Sequence, residues 1–562
     1  MKIFYIITLL PAFCGLSINA SSQNFVWAKQ MGGTGSDLGN SIAVDANGNV
    51  YTTGNFTGTS DFDPGTGTYN LTSAGIVDIF VSKLGPSGNF VWAKKMGGTG
   101  SDGGRSIAVD AAGNIYTTGV FEGTSDFNPG TGIYNLTSTG MFDIFVSKLD
   151  SSGNFLWAKQ MGAANDDRGY SIAVDAIGNV YTTGYFQDTV DFDPGPGTYN
   201  LISAGSHDIF ISKLDSSGNF LFAKQLGGTS GDEGKSIAVD AYGSIYTTGI
   251  FADTVDFDPG TGTFNLISLA GNGRVFVSKL DSSGNFLWAK QLSDNSTSIA
   301  VDVSGNVYTT GYFSFTDDFD PGIGTYNLSA SSSNDVFISK LDSSGNFVWA
   351  KQIGGNSPAE GFSIAVDATG NVVSTGWFFG TVDFDPGIAT YNLTSVGGYS
   401  IFVSKLDYSG NFLWANKMGG GGSLDDDGGN SVAIDTSENV YITGYFNGAC
   451  DFDPGTGTYI LSTASPYDIF VEKLSVTPTG ITENNNSLNE VNIFPNPGNG
   501  QIKIKSSDSL EEIKITDLLG QIIYQTKPNE NNLSLQLDET GIYFIQITTD
   551  KKTITKILIV CK

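Results

Sequence analysis

One phrase returns along this chain at a nearly fixed step. Asp-Phe-Asp-Pro-Gly begins at Asp61, and it or its variant Asp-Phe-Asn-Pro-Gly begins again at Asp126, Asp191, Asp256, Asp318, Asp383 and Asp451, at intervals of 65, 65, 65, 62, 65 and 68 residues. Three further phrases keep the same step. NFVWAKQMGG starts at Asn24, SIAVD at Ser41 and DIFVSKL at Asp78, and each recurs in seven variants. Self-similarity of this kind constrains the fold before any single residue is considered. Each repeat is one supersecondary unit that cannot bury its apolar surface alone, so the copies must pack on one another.

Each unit holds four strand-like runs rich in Val, Ile, Phe, Tyr, Trp and Thr, without helical periodicity. SIAVD and NVYTTGNF are joined by ANG, and DIFVSKL and NFVWAKQM by SSG or a close relative, which read as hairpin turns. The 74 glycines follow the same period without a Gly-X-Y triplet, so they mark turns and exclude collagen. Four antiparallel strands repeated seven times predict an all-β, seven-bladed β-propeller. The outer runs look apolar on both faces: Phe25 and Trp27 are expected on one side, Val26 and Ala28 on the other, each covered by a neighbouring blade. A β-solenoid is the rival, but its repeats are shorter.

The phrases SIAVDANGNVYTTG and DIFVSKLDSSGNFLWAKQMGG resemble the SBBP β-propeller repeat of secreted bacterial proteins, over roughly residues 24–474. The acidic DFDPG–YNLTS segment departs from that pattern. By analogy with related propellers, SIAVD is the innermost strand and NFVWAK the outermost. The chain then opens with an outer strand, 24–30, and its last repeat ends with a third strand, 468–474. The first strand is expected to complete the last blade, which removes two sheet edges.

The remaining segments read as follows. Residues 1–22 look like a signal peptide: Lys2, an apolar run from Ile3 to Leu10, and small residues near Ala20. No later apolar run approaches the ~20 residues of a membrane helix. Residues 475–490 read as a polar linker. From 491 to 562, alternating runs separated by Gly and Asn turns read as a small immunoglobulin-like β-sandwich. Phe494-Pro495-Asn496-Pro497 with Gly500, Asp517-Leu518-Leu519-Gly520-Gln521, Gly541-Ile542-Tyr543 and the closing Lys562 resemble the C-terminal sorting domain of type IX secretion. That resemblance implies handling by the type IX machinery, export, and release or attachment at the outer-membrane cell surface.

Charge excludes whole classes of partner. The chain carries −29, with 57 acidic and 28 basic residues; residues 487–562 hold 9 and 8 of these, so the rest carries −28. Nucleic acid and anionic membranes are unsuited to such a surface. Of three cysteines, Cys14 lies in the leader, and Cys450 and Cys561 sit in separate regions, so no disulfide framework exists. With His207 the only histidine, a zinc site of the usual kind is excluded.

Two sets of residues are candidates for a site. Where the units disagree, the residue before SIAVD reads Asn40, Arg105, Tyr170, Lys235, Thr297, Phe362 and Asn430, and the residue after the TTG phrase reads Asn55, Val120, Tyr185, Ile250, Tyr312, Trp377 and Tyr445. Both positions belong at one end of each blade and are expected to ring one mouth. Arg105, Tyr170, Lys235, Phe362, Tyr185, Tyr312, Trp377 and Tyr445 form a candidate ligand surface there, suited to an extracellular glycan or protein.

The second set lies in DFDPG. Pro64-Gly65 fits the centre of a tight turn, with Pro fixing φ and Gly permitting φ > 0; Phe62 can anchor the segment, and Asp63 can accept a bond from the turn's own backbone. That leaves Asp61 without a role. The pairs Asp61 and Asp63, Asp191 and Asp193, Asp256 and Asp258, Asp318 and Asp320, Asp383 and Asp385, and Asp451 and Asp453 are candidate calcium ligands, although two carboxylates fall short of the 6–8 oxygens calcium takes. No other cofactor is expected. Near-identical units supply the same groups seven times, whereas catalysis needs dissimilar groups in one place. The sequence therefore reads as a secreted binding or scaffold propeller and not an enzyme. A polysaccharide-acting enzyme using the mouth, or a structural envelope component, are the alternatives.

Overall fold

The computed structural model describes residues 23–268, 273–292, 295–420, 426–463, 466–476, 491–494, 501–517, 521–537, 539–549 and 553–560. The expected leader, with Cys14, lies outside them. So do residues 477–490 of the linker, residues 495–500 and 518–520 of the tail motifs, Cys561 and Lys562. The chain divides into two compact units, residues 1–478 and 479–562.

The first unit contains seven antiparallel blades of four main strands each, four of them extended to six strands by a small hairpin. In the first blade, the inner strand Leu38–Val44 pairs with Val50–Phe56, that with Asp78–Leu84, and that with the outer strand Phe90–Gly98. The SIAVD strands of all seven blades touch their neighbours in a closed ring, first against last included. Closure is as expected: Gln23–Gly33 pairs with Asp468–Val476 and becomes the outer strand of the seventh blade.

The cores lie between blades. Trp27 and Met31 of the closing strand pack with Ile42, Val50 and Phe80 of the first blade and Tyr441 and Val471 of the last. The Trp27 indole donates to the Pro86 carbonyl of the next blade at 3.2 Å, and Trp92 and Trp349 repeat that contact with Ser151 and Tyr408. The Trp series is therefore packing between blades.

One expectation is corrected here. Phe25 and Trp27 do not share a face, because a bulge between them inserts an extra residue opposite Leu474 and Lys473. Phe25 packs into the core shared by the sixth and seventh blades, and Trp27 into the one on the other side. Val26, the inserted residue, is exposed, as are Val91 and Leu156 at the same place in their blades. A bulge reverses the inward–outward alternation beyond it.

The DFDPG segment forms a small hairpin, Thr59–Asp61 with Asn70–Thr72. It extends the neighbouring blade's sheet: Asp61 pairs with Gly32 and Ser60 with Gly33 of the preceding outer strand. A Cβ on Gly33 would stand 2.1 Å from the Thr59 carbonyl, so the GG of the blade-to-blade connection is needed for this close approach. Phe62 is fully buried between Phe56 and Phe80, at 5.4 and 5.0 Å between ring centres.

In the second unit, the strand Gln501–Thr516 pairs through its first part with Val491–Phe494 and Glu530–Gln536, and through its second with Ile522–Thr526 and Gly541–Thr549. Ile502, Ile504, Ile513, Ile515, Ile545 and Leu558 share one apolar core.

Candidate functional site

Inner strands enter the channel where second strands leave it, and at this end each inner strand carries a bulge. In the first blade it falls between Gly39 and Ser41, at Asn40. The bulged side chain is turned toward the next blade: Asn40 Nδ2 donates to the Gly104 carbonyl and to Asn55 Oδ1. Thr297 and Asn430 make the same reach, to the carbonyls of Gly361 and Gly39. The two variable positions therefore do meet at one end of the propeller. The bulge that aims the first of them is invisible in composition.

Around that mouth the chemistry is uneven. On the sixth and seventh blades, Trp377, Tyr399, Tyr445 and Tyr467 line a cleft of about 500 Å³ with Asp426, Asp427, Ser36 and Leu38. Trp377 meets Tyr399 edge-on at 4.4 Å, and Tyr445 meets Tyr467 at 5.3 Å. The Tyr445 ring lies over Gly428, where a Cβ would come within 2.8 Å. Burial raises the Tyr445 hydroxyl to about 12, so it stays neutral and presents a polar tip on an apolar wall.

On the second to fourth blades the rim is charged. Lys235 Nζ sits 4.7 Å over the Tyr170 ring and pairs with Glu233. Arg168 forks onto both oxygens of Asp166 at 3.0 Å, and Tyr185 donates to Asp166 at 2.8 Å. His207 packs at a tilt against Tyr185, 4.6 Å between ring centres, and lies 3.5 Å from Glu233. Burial disfavours the Glu233 charge, but His207 and Lys235 outweigh it and hold the carboxyl down at about 2. Burial raises Tyr170 to about 12. Tyr312 and Phe362 hold the equivalent positions of the fifth and sixth blades, between these two arcs.

A third ring of variable residues escaped the sequence reading. The residue before each third strand reads Val77, Phe142, His207, Gly273, Asn334, Tyr399 and Tyr467. Val77, Phe142, His207 and Tyr399 each form an isolated parallel bridge to the connection leading into the next inner strand. That bridge is tertiary, but variation at a fixed offset before DIFVSKL was there to be seen.

The DFDPG carboxylates have local work. Asp61 Oδ1 accepts the amides of Asp63 and Tyr69 at 3.0 and 2.8 Å, and Asp63 Oδ1 accepts the Gly65 amide at 2.9 Å. Asp191, Asp256, Asp318, Asp383 and Asp451 each tie the two arms of their loop in the way Asp61 does. The second aspartates follow Asp63. Asp193 accepts the Gly195 amide, Asp258 that of Gly260, Asp320 that of Gly322, Asp385 that of Gly387 and Asp453 that of Gly455, each at 2.8 Å. One oxygen of every pair member is thus turned onto the loop's own backbone, and a pair brings no third carboxylate with it. Among the described residues no group of three or more His, Cys, Asp or Glu is placed to hold a metal, and Asp193, Asp258, Asp320 and Asp385, like Asp63 and Asp453, cap their turns. Gly65 does not take a positive φ as expected; its Cβ would stand 2.9 Å from Asp63 Oδ1, so the glycine leaves room for the carboxylate. Beside these turns lie open, polar grooves of about 300–360 Å³, seen at Asp61, Asp191 and Asp451.

The Asp45-Ala46-Asn47-Gly48-Asn49 turn is likewise self-contained. Asp45 accepts the amides of Asn47 and Asn49, the Asn49 side chain and the Tyr51 hydroxyl.

Comparison with known proteins agrees with this architecture. Residues 26–63, 156–185 and 221–249 match the family described as a beta-propeller repeat, SBBP, and residues 492–561 match the secretion system C-terminal sorting domain. The chain therefore carries SBBP propeller repeats and a type IX sorting tail, which marks it for handling by that machinery, secretion, and often surface attachment. Among the described residues no helix is long and apolar enough to cross a membrane. An uncharacterised WD repeat-containing protein of Acanthamoeba polyphaga mimivirus is 25% identical over 530 residues, covering 79% of this chain and 37% of that protein. Regulatory protein FlaEY of Caulobacter vibrioides is 25% identical over 215 residues, 36% of this chain and 22% of that one. The chain thus spans well under half the length of these curated relatives. A Bacteroides caccae protein of unknown function covers 60% of this chain and 89% of its own at 10% identity, with a TM-score of 0.28. PorZ, a surface component of the type IX system of Porphyromonas gingivalis, covers 95% and 100% at 11% identity, with a TM-score of 0.17.

Proposed function

We propose that this secreted propeller is a non-catalytic binding module that takes an extracellular glycan across the mouth ringed by Trp377, Tyr445, Tyr170 and Lys235. The aromatic cleft carries the reading. Trp377 and Tyr399 offer apolar faces to a sugar ring, while Asp426 and the tyrosine hydroxyls are suited to its hydroxyls. Repeats that are otherwise near-copies differ here, where a ligand would touch.

The charged arc does hold dissimilar groups, as an enzyme would need, but they are spent on one another. Tyr185 is tied to Asp166, and His207 and Lys235 to Glu233. Groups locked in mutual bonds shape a rim better than they move protons.

A glycan-array screen of the secreted chain beside Trp377→Ala tests the reading. Truncating a central aromatic anchor costs roughly 2 kcal/mol, about thirtyfold in affinity. Binding that Trp377→Ala leaves unchanged would remove the cleft from the function. Turnover of a bound polysaccharide would favour the enzyme alternative, and no bound glycan the structural one.

A further inference from the structure

The charged arc has one member out of balance. Arg168 and Lys235 stand on adjacent inner strands, and each has its own carboxylate, Asp166 and Glu233. Arg105 occupies the bulge position of the second blade, equivalent to Tyr170 and Lys235. The residue two places before it is Gly103, where the fourth blade has Glu233 beside Lys235. Among the described residues Arg105 forms no hydrogen bond or ion pair. The groups that act on it are Tyr170, Arg168 and Tyr185, none of them a carboxylate.

The side chain is exposed at the mouth, where a ligand can reach it. An exposed guanidinium with no internal counter-charge is free to pair with a ligand's anion. The chain has acidic residues to spare, 57 against 28 basic, and among the described residues none pairs with Arg105.

We infer that Arg105, with Tyr170 beside it, forms an anion-recognition site for the carboxylate or sulfate group of an acidic glycan. This rests on the glycan reading of the mouth and names the ligand's class. A planar guanidinium suits a two-pronged bond to a carboxylate or sulfate. Lys235, paired with Glu233 and held over the Tyr170 ring, fixes that ring in place on the strand next to Arg105. The net charge of −29 sets a further limit. It repels dense polyanions at a distance, so the ligand carries sparse acid groups on an otherwise neutral chain.

The test uses the secreted chain and Arg105→Gln, which keeps length and polarity. Sodium sulfate, glucuronate and glucose are titrated calorimetrically. A uronate polymer, its carboxyl-reduced neutral form and a sulfated neutral polymer are then compared on a surface. The wild type should bind glucuronate or sulfate, and should prefer the matching acidic polymer over the reduced one by tenfold or more. Arg105→Gln should lose that preference and keep the weaker neutral binding. A glucuronate arm without a sulfate arm assigns a carboxylate, and the reverse a sulfate. Equal binding of acidic and reduced polymers overturns this inference and leaves the glycan reading intact. Sulfate binding abolished by Arg105→Gln, with no polymer bound, keeps the anion site and removes the glycan reading. Retention of the acidic preference by Arg105→Gln overturns the assignment to Arg105.

Discussion

Pairs of buried aspartates at four blade seams should set the pH dependence of stability. Asp102 is buried beside Asp78, and Asp37 with Asp468, Asp167 with Asp143 and Asp232 with Asp208 repeat the arrangement. Burial, more than the neighbouring charge, raises Asp37, Asp102, Asp167 and Asp232 from 3.8 to about 6. An acid whose folded pKa lies above its unfolded value holds its proton more tightly when folded. Its contribution is full below pH 4 and is lost as the pH rises through 6. The gap corresponds to about 3 kcal/mol per group, so four seams together make on the order of 10 kcal/mol as an upper bound. The carboxyls of Asp45, Asp110 and Asp435 work the other way. Burial opposes their charge, but the bonds they accept hold them below 3.8, so their contribution fades as the pH falls through that range. Stability should therefore peak between about pH 4 and 5. The perturbation is Asp78→Asn. Asp78 Oδ2 accepts the Ala74 amide, while Oδ1 is buried without a hydrogen-bond partner. An asparagine can keep the first bond and turn its amide toward the second position. It removes the like charge next to Asp102 but gives up Lys95 at 3.4 Å. Because burial is the larger cause, the gain at pH 7 should be modest, about 1 kcal/mol, with a smaller loss between pH 4 and 6. Urea unfolding at pH 4.5 and 7 measures both. A wild-type midpoint equal or higher at pH 7 would refute the reasoning.

Two further outcomes follow from the fold. Trp27→Ala empties a buried indole site and its bond to Pro86, and should cost about 3–5 kcal/mol; deleting residues 24–30 should also expose the edge of Asp468–Val476 and drive association, read by light scattering. Asp61→Ala should cost about 1–3 kcal/mol by stranding the Asp63 and Tyr69 amides while Asp61→Asn keeps most of it, and hydrogen exchange at those amides reports the loss. A calcium-dependent rise in melting temperature that Asp61→Asn abolishes would assign this pair to metal binding as well.

The period of about 65 residues already dictated repeated blades, because a repeat that cannot bury its own faces must stack, and the outer strand at the front with the third strand at the back already dictated how the ring closes. Those are statements about pattern, and pattern is local. Side-chain direction was not legible. A single bulge put Phe25 and Trp27 on opposite faces, and another turned Asn40 and its equivalents from the strand toward the next blade. The role of Asp61 was hidden for a related reason: it accepts the amide of Tyr69, eight residues away across a loop whose path the letters do not give. The mouth shows the division most clearly. Its variable letters were readable from the sequence, so Arg105, Trp377 and Tyr445 could be named in advance. That His207 faces Tyr185, that Asp166 and Glu233 neutralise two of three cations, and that Arg105 is left over depend on contacts between adjacent blades. Charge balance there is a property of three strands meeting, and only the closed ring brings them together.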